Sequence, residues 1–407
     1  MFLTIGHPEV VTHVATMGYG LLPMRDQSRN EYLLIVKATK EAILTARLNQ
    51  QCKIYVLSDP TGPNSHLCFV TAFFDDHDEP LRIASPQFEG DAMLADLTAL
   101  MGQSEFDVYF FDENNREMMG VRVFNPSAYR FKALIEDASF PIFDQETVGE
   151  IVRRSELRFA IRDDQDDRDA FVLDFKENLY PDDFVFVDAR SGAPHFGGER
   201  SHETNAIVRE NPGPHQERDI ALLLGRVFPR SEIYLNPLRA GDNKEICDLL
   251  VVHDGMILFI QAKDSPNTEA SLRRTVNRKR LTTKGHVEKA ARQVLGAARY
   301  AATSSTMNMT AAGQKIAVNM EGRQFYGIVV VQELFDDDGV ATGAAVVELA
   351  RSSFPSLLVD YSGLHLLAQN LRSPTAFLNA LNNLSAAAVD GGQFSRPIWL
   401  GPPPTEA

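Results

Sequence analysis

The stretch ICDLLVVHDGMILFIQAKDS, residues Ile246 to Ser265, decides how the second half of this chain is read. Two apolar runs flank Asp254-Gly255, a dipeptide strongly favoured in two-residue hairpin turns. With that turn, Asp248 stands directly opposite Gln261. Directly opposed side chains share a sheet face with their Cβ atoms ~5 Å apart. Lys263, two residues along, shares the face as well. The hairpin thus gathers an acid, an amide and an amine at one end of an otherwise apolar pair of strands. Asp and Lys are costly to bury unless paired, hydrogen-bonded or bound to a metal. A one-residue bulge would break this register.

Outward from the hairpin, ERDIALLLGRVF reads as an amphipathic helix and SEIYLNPL as a strand. EICDLLVV and MILFIQAK are the hairpin strands, HVEKAARQVLGAARYAA is a long helix, and FYGIVVVQEL is a buried strand. AAVVEL and SLLVDY read as further strands, and GLHLLAQNL and SPTAFLNALNNLSAAA as helices. The order is α-β-β-β-α-β with C-terminal additions. Glu217 opens the first helix with Ile220, Ala221 and Leu224 three, four and seven residues on, which puts it on the apolar face. The long helix carries a polar stripe of His286, Lys289, Gln293 and Tyr300. Between Ser271 and Arg292 the basic residues are Arg273, Arg274, Arg278, Lys279, Arg280, Lys284, Lys289 and Arg292, against the single acid Glu288. Each feature has an ordinary reading: a salt bridge at a strand end, an acid offsetting a helix macrodipole, a solvated helix face, a solvated basic run.

The rest of the chain reads as an N-terminal α+β domain over 1–140, a small β-rich subdomain over 141–190, a linker over 191–214, the α/β domain over 215–350, and an extension over 351–407. In the first part EYLLIVKAT, KIYVLSD and HLCFVTAFF are strand-like, TKEAILTARLNQ and GDAMLADLTALMGQ are helical with caps at Thr39 and Asp91, and FDVYFFDENNREMMGVRVF is a hairpin about Asn114-Asn115. RFAIRD, AFVLDF and FVFVDA read as short strands. The acidic run DDQDDRD (163–169) lacks the EF-hand glycine and closing glutamate, and reads as a solvated hairpin loop. His195, His202 and His215 fall in or beside the linker at spacings that match no zinc site. A 44% hydrophobic content is that of a globular protein. No apolar run approaches the ~18 residues of a membrane span, and MFLTIGHPEVV does not read as a signal peptide. Cys52, Cys68 and Cys247 have no CxxC spacing, which fits a reducing compartment and a cytoplasmic protein. The net charge of −15 argues against a chain that coats nucleic acid over its whole surface, though a local basic channel remains compatible with it.

Taken together, Glu217, Asp248, Gln261 and Lys263 on an α-β-β-β-α-β frame resemble the PD-(D/E)XK nuclease superfamily, and more narrowly the Mrr-like restriction endonucleases, which carry Gln in place of the second acid. The resemblance spans about residues 215–335. Cys247 stands at the proline position of the motif, and Ala297 breaks the Gln-x-x-x-Tyr pattern of RecB-like members. It implies a restriction-endonuclease-like core and a metal-dependent DNA endonuclease, with prokaryotic defence as its setting. Asp248, Gln261 and Glu217 would hold Mg²⁺ or Mn²⁺, joined by the Ala262 carbonyl, and Lys263 would orient or deprotonate the attacking water. Arg273, Arg274, Arg278, Lys279, Arg280, Lys284, Lys289 and Gln293 would hold backbone phosphates. The implied partners are DNA and a protein partner or a second copy, without membrane or ATP, since no GxxxxGK[ST] loop is present. Two alternatives stand beside this reading: a binding or scaffold protein on a nuclease-like fold, kept open by Gln261, and an RNA nuclease.

Overall fold

A computed structural model gives the fold of the chain, describing residues 2–26, 31–58, 67–75, 80–86, 92–136, 151, 154–155, 157–181, 185–187, 202–204, 206–334 and 339–394. It is a mixed α/β architecture that divides into two compact units. The first comprises Met1–Val185, Thr204–Arg209 and Asn267–Arg273. The second comprises Phe186–Glu203, Glu210–Pro266 and Arg274–Ala407. No helix among the described residues is long and apolar enough to cross a membrane.

The first unit is built on an eight-stranded sheet of β1 (Gly20–Asp26), β2 (Glu31–Lys37), β3 (Gln51–Ser58), β4 (Leu67–Phe73), β5 (Leu81–Pro86), β6 (Glu105–Phe111), β7 (Glu117–Phe124) and β8 (Phe171–Asn178), in the order β1-β2-β6-β7-β8-β3-β4-β5. Only β2 and β6 pair in parallel. Helices α1 (Leu3–Gly6), α2 (Val10–Thr16), α3 (Lys40–Asn49), α4 (Ala92–Met101) and α5 (Ala128–Glu136) accompany it. Thr39 caps α3 as expected, accepting from Ala42 N at 3.2 Å. The expected cap Asp91 lies outside the described residues. The β6–β7 turn is fixed by Asp112, whose Oδ1 accepts from Asn114 N and Arg116 N at 2.8 Å each, while Asn115 takes φ +63°. Asn tolerates that region better than most residues.

Two expectations fail in this unit. The acidic run is a short helix, α6 (Asp164–Asp169), because Asp163 caps it by accepting from Gln165 N and Asp166 N, and the Asp166 side chain closes a capping box. RFAIRD is no strand either: residues 157–160 are helical and end in a turn. There Arg158 holds Asp166 through two hydrogen bonds of 2.9 and 2.6 Å. AFVLDF is a strand, β8, seated between β7 and β3. Of FVFVDA only Val185–Val187 is described; this β9 pairs with β10 (His202–Thr204). His195 lies outside the described residues.

The second unit starts with α7 (Gly213–Leu224) and carries a five-stranded sheet. Its strands are β11 (Ile233–Leu235), β13 (Leu249–His253), β14 (Met256–Lys263), β17 (Gln324–Val331) and β18 (Ser356–Asp360), ordered β11-β13-β14-β17-β18. The first three are antiparallel, and β14, β17 and β18 run parallel. Parallel neighbours need crossover connections. These are α9 (Val276–Ala301) and α10 (Gly339–Ser352). AAVVEL is therefore part of a helix, with Val346, Val347 and Leu349 buried in it, and not the strand its apolar run suggested. Helix α9 begins ten residues ahead of the expected His286 start, capped by Thr275. Its first three turns are basic and polar, so hydrophobic periodicity gives no sign of them. Short α8 (Glu269–Leu272) belongs to the first unit.

One face of the sheet packs Ile260, Ile328 and Val359 against Ile220 and Leu224 of α7 and Leu364 of α11 (Tyr361–Asn370). The other packs Phe259, Val329 and Leu358 against Val287 and Val294 of α9 and Val346 of α10. Helix α12 (Pro374–Gly391) completes the unit. A side sheet of β12 (Leu238–Arg239), β15 (Thr306–Ala311) and β16 (Gln314–Asn319) was not anticipated. Its strands are short and lack a clean apolar alternation.

Gly327 in β17 allows α9 to approach the sheet. A Cβ there would stand 2.9 Å from Val294 Cγ1 and Ser356 Oγ and 3.1 Å from Phe354 Cε2. Gly327→Ala is expected to destabilise the protein by about 1–3 kcal/mol in urea unfolding, the usual cost of overpacking. An unchanged midpoint would show that the contact is looser than described.

Candidate functional site

The hairpin forms in the expected register: Leu249 pairs with Ile260, Leu250 with Phe259 and His253 with Met256, about the Asp254-Gly255 turn. Gly255 takes φ +67°, which glycine adopts without steric cost. Its carbonyl accepts from Gln324 N at 2.9 Å and so starts the parallel pairing with β17. Asp248 lies one residue before β13 and is 5% exposed. Its carboxylate accepts three donors. Gln261 Nε2 bonds Oδ1; Ala262 N and Lys263 Nζ bond Oδ2 at 2.6 and 3.5 Å. Lys263 Nζ also donates to the Ala262 carbonyl at 2.9 Å. The structure therefore brings Asp248, Gln261 and Lys263 together as the register requires.

Glu217 is the fifth residue of α7, which starts earlier than expected, at Gly213. It remains on the face of Ile220 and Leu224. Its Oε2 accepts from Asn236 Nδ2 at 2.9 Å, and Asn236 N donates to the Asp248 carbonyl at 2.9 Å. Burial is the main cause raising the Glu217 carboxyl above its usual range, opposed by the Asn236 hydrogen bond; the Asp248 charge raises it further and Lys263 lowers it. The acid on α7 thus faces the hairpin's acid and amine.

Glu245 joins them. The residue as a whole is exposed, yet its carboxyl lies in hydrogen-bonding contact with Asp248. Burial of that carboxyl first, then the Asp248 contact and the charges of Asp248 and Glu217, push it up to about 7, with Lys263 pulling the other way. Sequence reasoning missed Glu245 and Asn236, because both stand between recognisable strands. The available signal was the E-x-x-D spacing of Glu245 and Asp248. Cys247, 1% exposed, donates to the Leu249 carbonyl at 3.0 Å, and burial above all keeps its thiol protonated, so it is no nucleophile.

Along α9 the stripe Lys279, Thr282, His286, Lys289 and Gln293 recurs at three and four residues, so these positions share a face. His286 feels the positive charge of Lys263 and Lys289; with burial as the leading cause, its pKa is lowered. This stripe therefore flanks the hairpin end. Tyr300, expected on it, instead bonds the Asn308 carbonyl at 3.0 Å and lies under Arg239. Arg278 projects beside the stripe by helical spacing, whereas Arg280 and Lys284 fall on the opposite flank. Arg274 precedes the helix. Arg273 belongs to the other unit and is ion-paired with Glu269.

The donor set suits a hard cation, since it consists of carboxylates and neutral carbonyl oxygens. Among the described residues, no group of three or more His, Cys, Asp and Glu side chains is drawn together at metal-holding distance. A cation here would rely on fewer acids, supplemented by Gln261 and Ala262 oxygens. An ionised carboxylate only accepts hydrogen bonds, which is why Gln261 presents its nitrogen to Asp248; holding a cation would require that amide to turn.

The raised Glu245 carboxyl makes stability depend on pH. The folded protein holds this proton more tightly than the unfolded chain, whose value is 4.5. Its contribution is full below the unfolded value and is lost as pH rises from there through about 7. In EDTA the melting temperature of wild type should fall across that window more steeply than that of Glu245→Gln. Parallel curves for the two proteins would contradict this.

Compared with family models, with curated proteins and with solved structures, the chain finds no match in any of the three. The function is therefore argued from the site itself.

Proposed function

We propose that the second unit is a metal-dependent nuclease domain with a restriction-endonuclease-like core, acting on DNA. One observation carries the reading: three carboxyls, Glu217, Glu245 and Asp248, face a single ammonium, Lys263, at the end of a buried hairpin. Like charges gathered in a partly buried place are unfavourable without a proton or a cation among them. A salt bridge between Asp248 and Lys263 would need neither glutamate. The order α7-β11-β13-β14-α9-β17, antiparallel and then crossing over to a parallel strand, supports the fold assignment.

Asp248, with the Gln261 and Ala262 oxygens, would hold Mg²⁺ or Mn²⁺, and Glu217 would reach it through Asn236 or water. The bound cation would neutralise charge growing at the phosphate and acidify a water. Lys263, fixed between Asp248 and the Ala262 carbonyl, orients the attacking water and offsets negative charge in the transition state. Lys279, Lys289 and Gln293, on the flanking stripe of α9, hold backbone phosphates, with Arg278 beside them and Arg274, Arg280 and Lys284 further along. DNA binding should weaken steeply with salt. As the effector of a prokaryotic defence system, such a domain would be restrained by the rest of the chain or by a protein partner.

The Gln261 amide, donating to Asp248, favours a second reading: a nuclease-like fold that binds nucleic acid without cutting it. Both are tested by incubating the protein with plasmid, linear duplex, single-stranded DNA and RNA in Mg²⁺, Mn²⁺ or EDTA. The nuclease reading predicts cation-dependent cutting of duplex DNA, reduced roughly 10²-fold or more in Lys263→Ala and Asp248→Ala. Binding without cutting supports the scaffold, cutting of RNA alone supports the ribonuclease, and equal cutting by wild type and variants contradicts the site assignment.

A further inference from the structure

We propose that Glu245 is the second acidic ligand of the cation site, with Glu217 a positioning residue that acts through Asn236. This rests on the metal-dependent reading above and names a ligand which that reading does not require.

The backbone holds Glu245 in place. Glu245 bridges to Leu238, Ile246 N donates to the Pro237 carbonyl at 2.8 Å, and Asn236 N donates to the Asp248 carbonyl at 2.9 Å. Arg239 N donates to the Lys244 carbonyl at 2.8 Å. Residues 244–248 are thus stitched along residues 236–239 as a ribbon. The exposed side chain of Glu245 hangs from a fixed Cα, and its carboxyl meets that of Asp248.

Two carboxyls in contact need something positive between them, because neither can donate when both are ionised. Lys263 does not fill that role alone: its ammonium lies 3.5 Å from Asp248 Oδ2 and is shared with the Ala262 carbonyl. Gln261 adds no charge. Asp248 and Glu245 together carry the two negative charges that match a divalent cation, and Gln261 and the Ala262 carbonyl supply neutral oxygens. Glu217 is placed differently. Its Oε2 is bonded to Asn236, whose backbone N–H holds the Asp248 carbonyl. Asn236 takes φ +47°, a conformation in which it serves both neighbours at once. Glu217 therefore fixes the ribbon that carries Asp248.

The test is Mn²⁺ binding by calorimetry and by electron paramagnetic resonance, on the full chain without nucleic acid, for wild type, Glu245→Gln, Glu245→Asp, Glu217→Gln and Asp248→Ala. Circular dichroism in EDTA checks that each is folded. Glu245→Gln should weaken Mn²⁺ by about tenfold or more, by analogy with the cost of disturbing a metal's surroundings. Glu245→Asp, which keeps the charge, should bind more tightly than Glu245→Gln. Glu217→Gln should lose less than Glu245→Gln. Wild-type affinity in Glu245→Gln, or a larger loss in Glu217→Gln, overturns the proposal while leaving the metal site standing. Wild type that binds no more Mn²⁺ than Asp248→Ala overturns the site and the proposal together.

Discussion

The hydrogen bonds at the Asp248 carboxylate depend on the register of one hairpin, and the rest of the site depends on them. With Leu249 opposite Ile260, Asp248 meets Gln261 and the Ala262 N–H. A slip of one residue would turn Gln261 and Lys263 into the packing around Ile220 and Leu224 and bring Ile260 and Ala262 to the acid. The register is held by Gly255 at the turn, by the apolar residues of both strands, and by the pairing of β14 with β17 along its whole length. A polar site of this kind is stable because an apolar sheet fixes its geometry. The sheet is in turn clamped by α9, whose close approach needs Gly327.

Charge is then arranged around that fixed point from three separate elements. Helix α7 contributes Glu217, the ribbon ahead of β13 contributes Glu245, and β14 contributes Lys263. On the far side α9 presents His286 and lysines. Acids face the hairpin end while basic residues flank it, so a polyanion is drawn to the rim and a small cation to the centre. This local separation coexists with a net charge of −15. Charge summed over the chain and charge at one site are different quantities.

Much of this arrangement was legible in the sequence because it rests on short periods. Alternation along MILFIQAK and the Asp-Gly turn gave the hairpin and its register. Helical spacing put Glu217 on the inward face. What was not legible has a physical reason in each case. AAVVEL looks like a strand to local pattern, yet it is a helix because two parallel strands require a crossover. The basic start of α9 packs on nothing that would leave an apolar stripe. Asp163 turned an expected loop into a helix by capping it, an effect of one side chain. Glu245 belongs to an irregular segment whose geometry comes from long-range backbone bonds to Leu238 and Pro237. No local rule announces such a residue.

The most direct measurement is the anomalous scattering of crystals of the protein equilibrated with Mn²⁺. The account predicts a peak in contact with the Asp248 carboxylate, with the Gln261 amide turned so that its oxygen faces the ion. An Asp248 that carries no peak, and still receives Gln261, Ala262 and Lys263 as donors at saturating Mn²⁺, would contradict it.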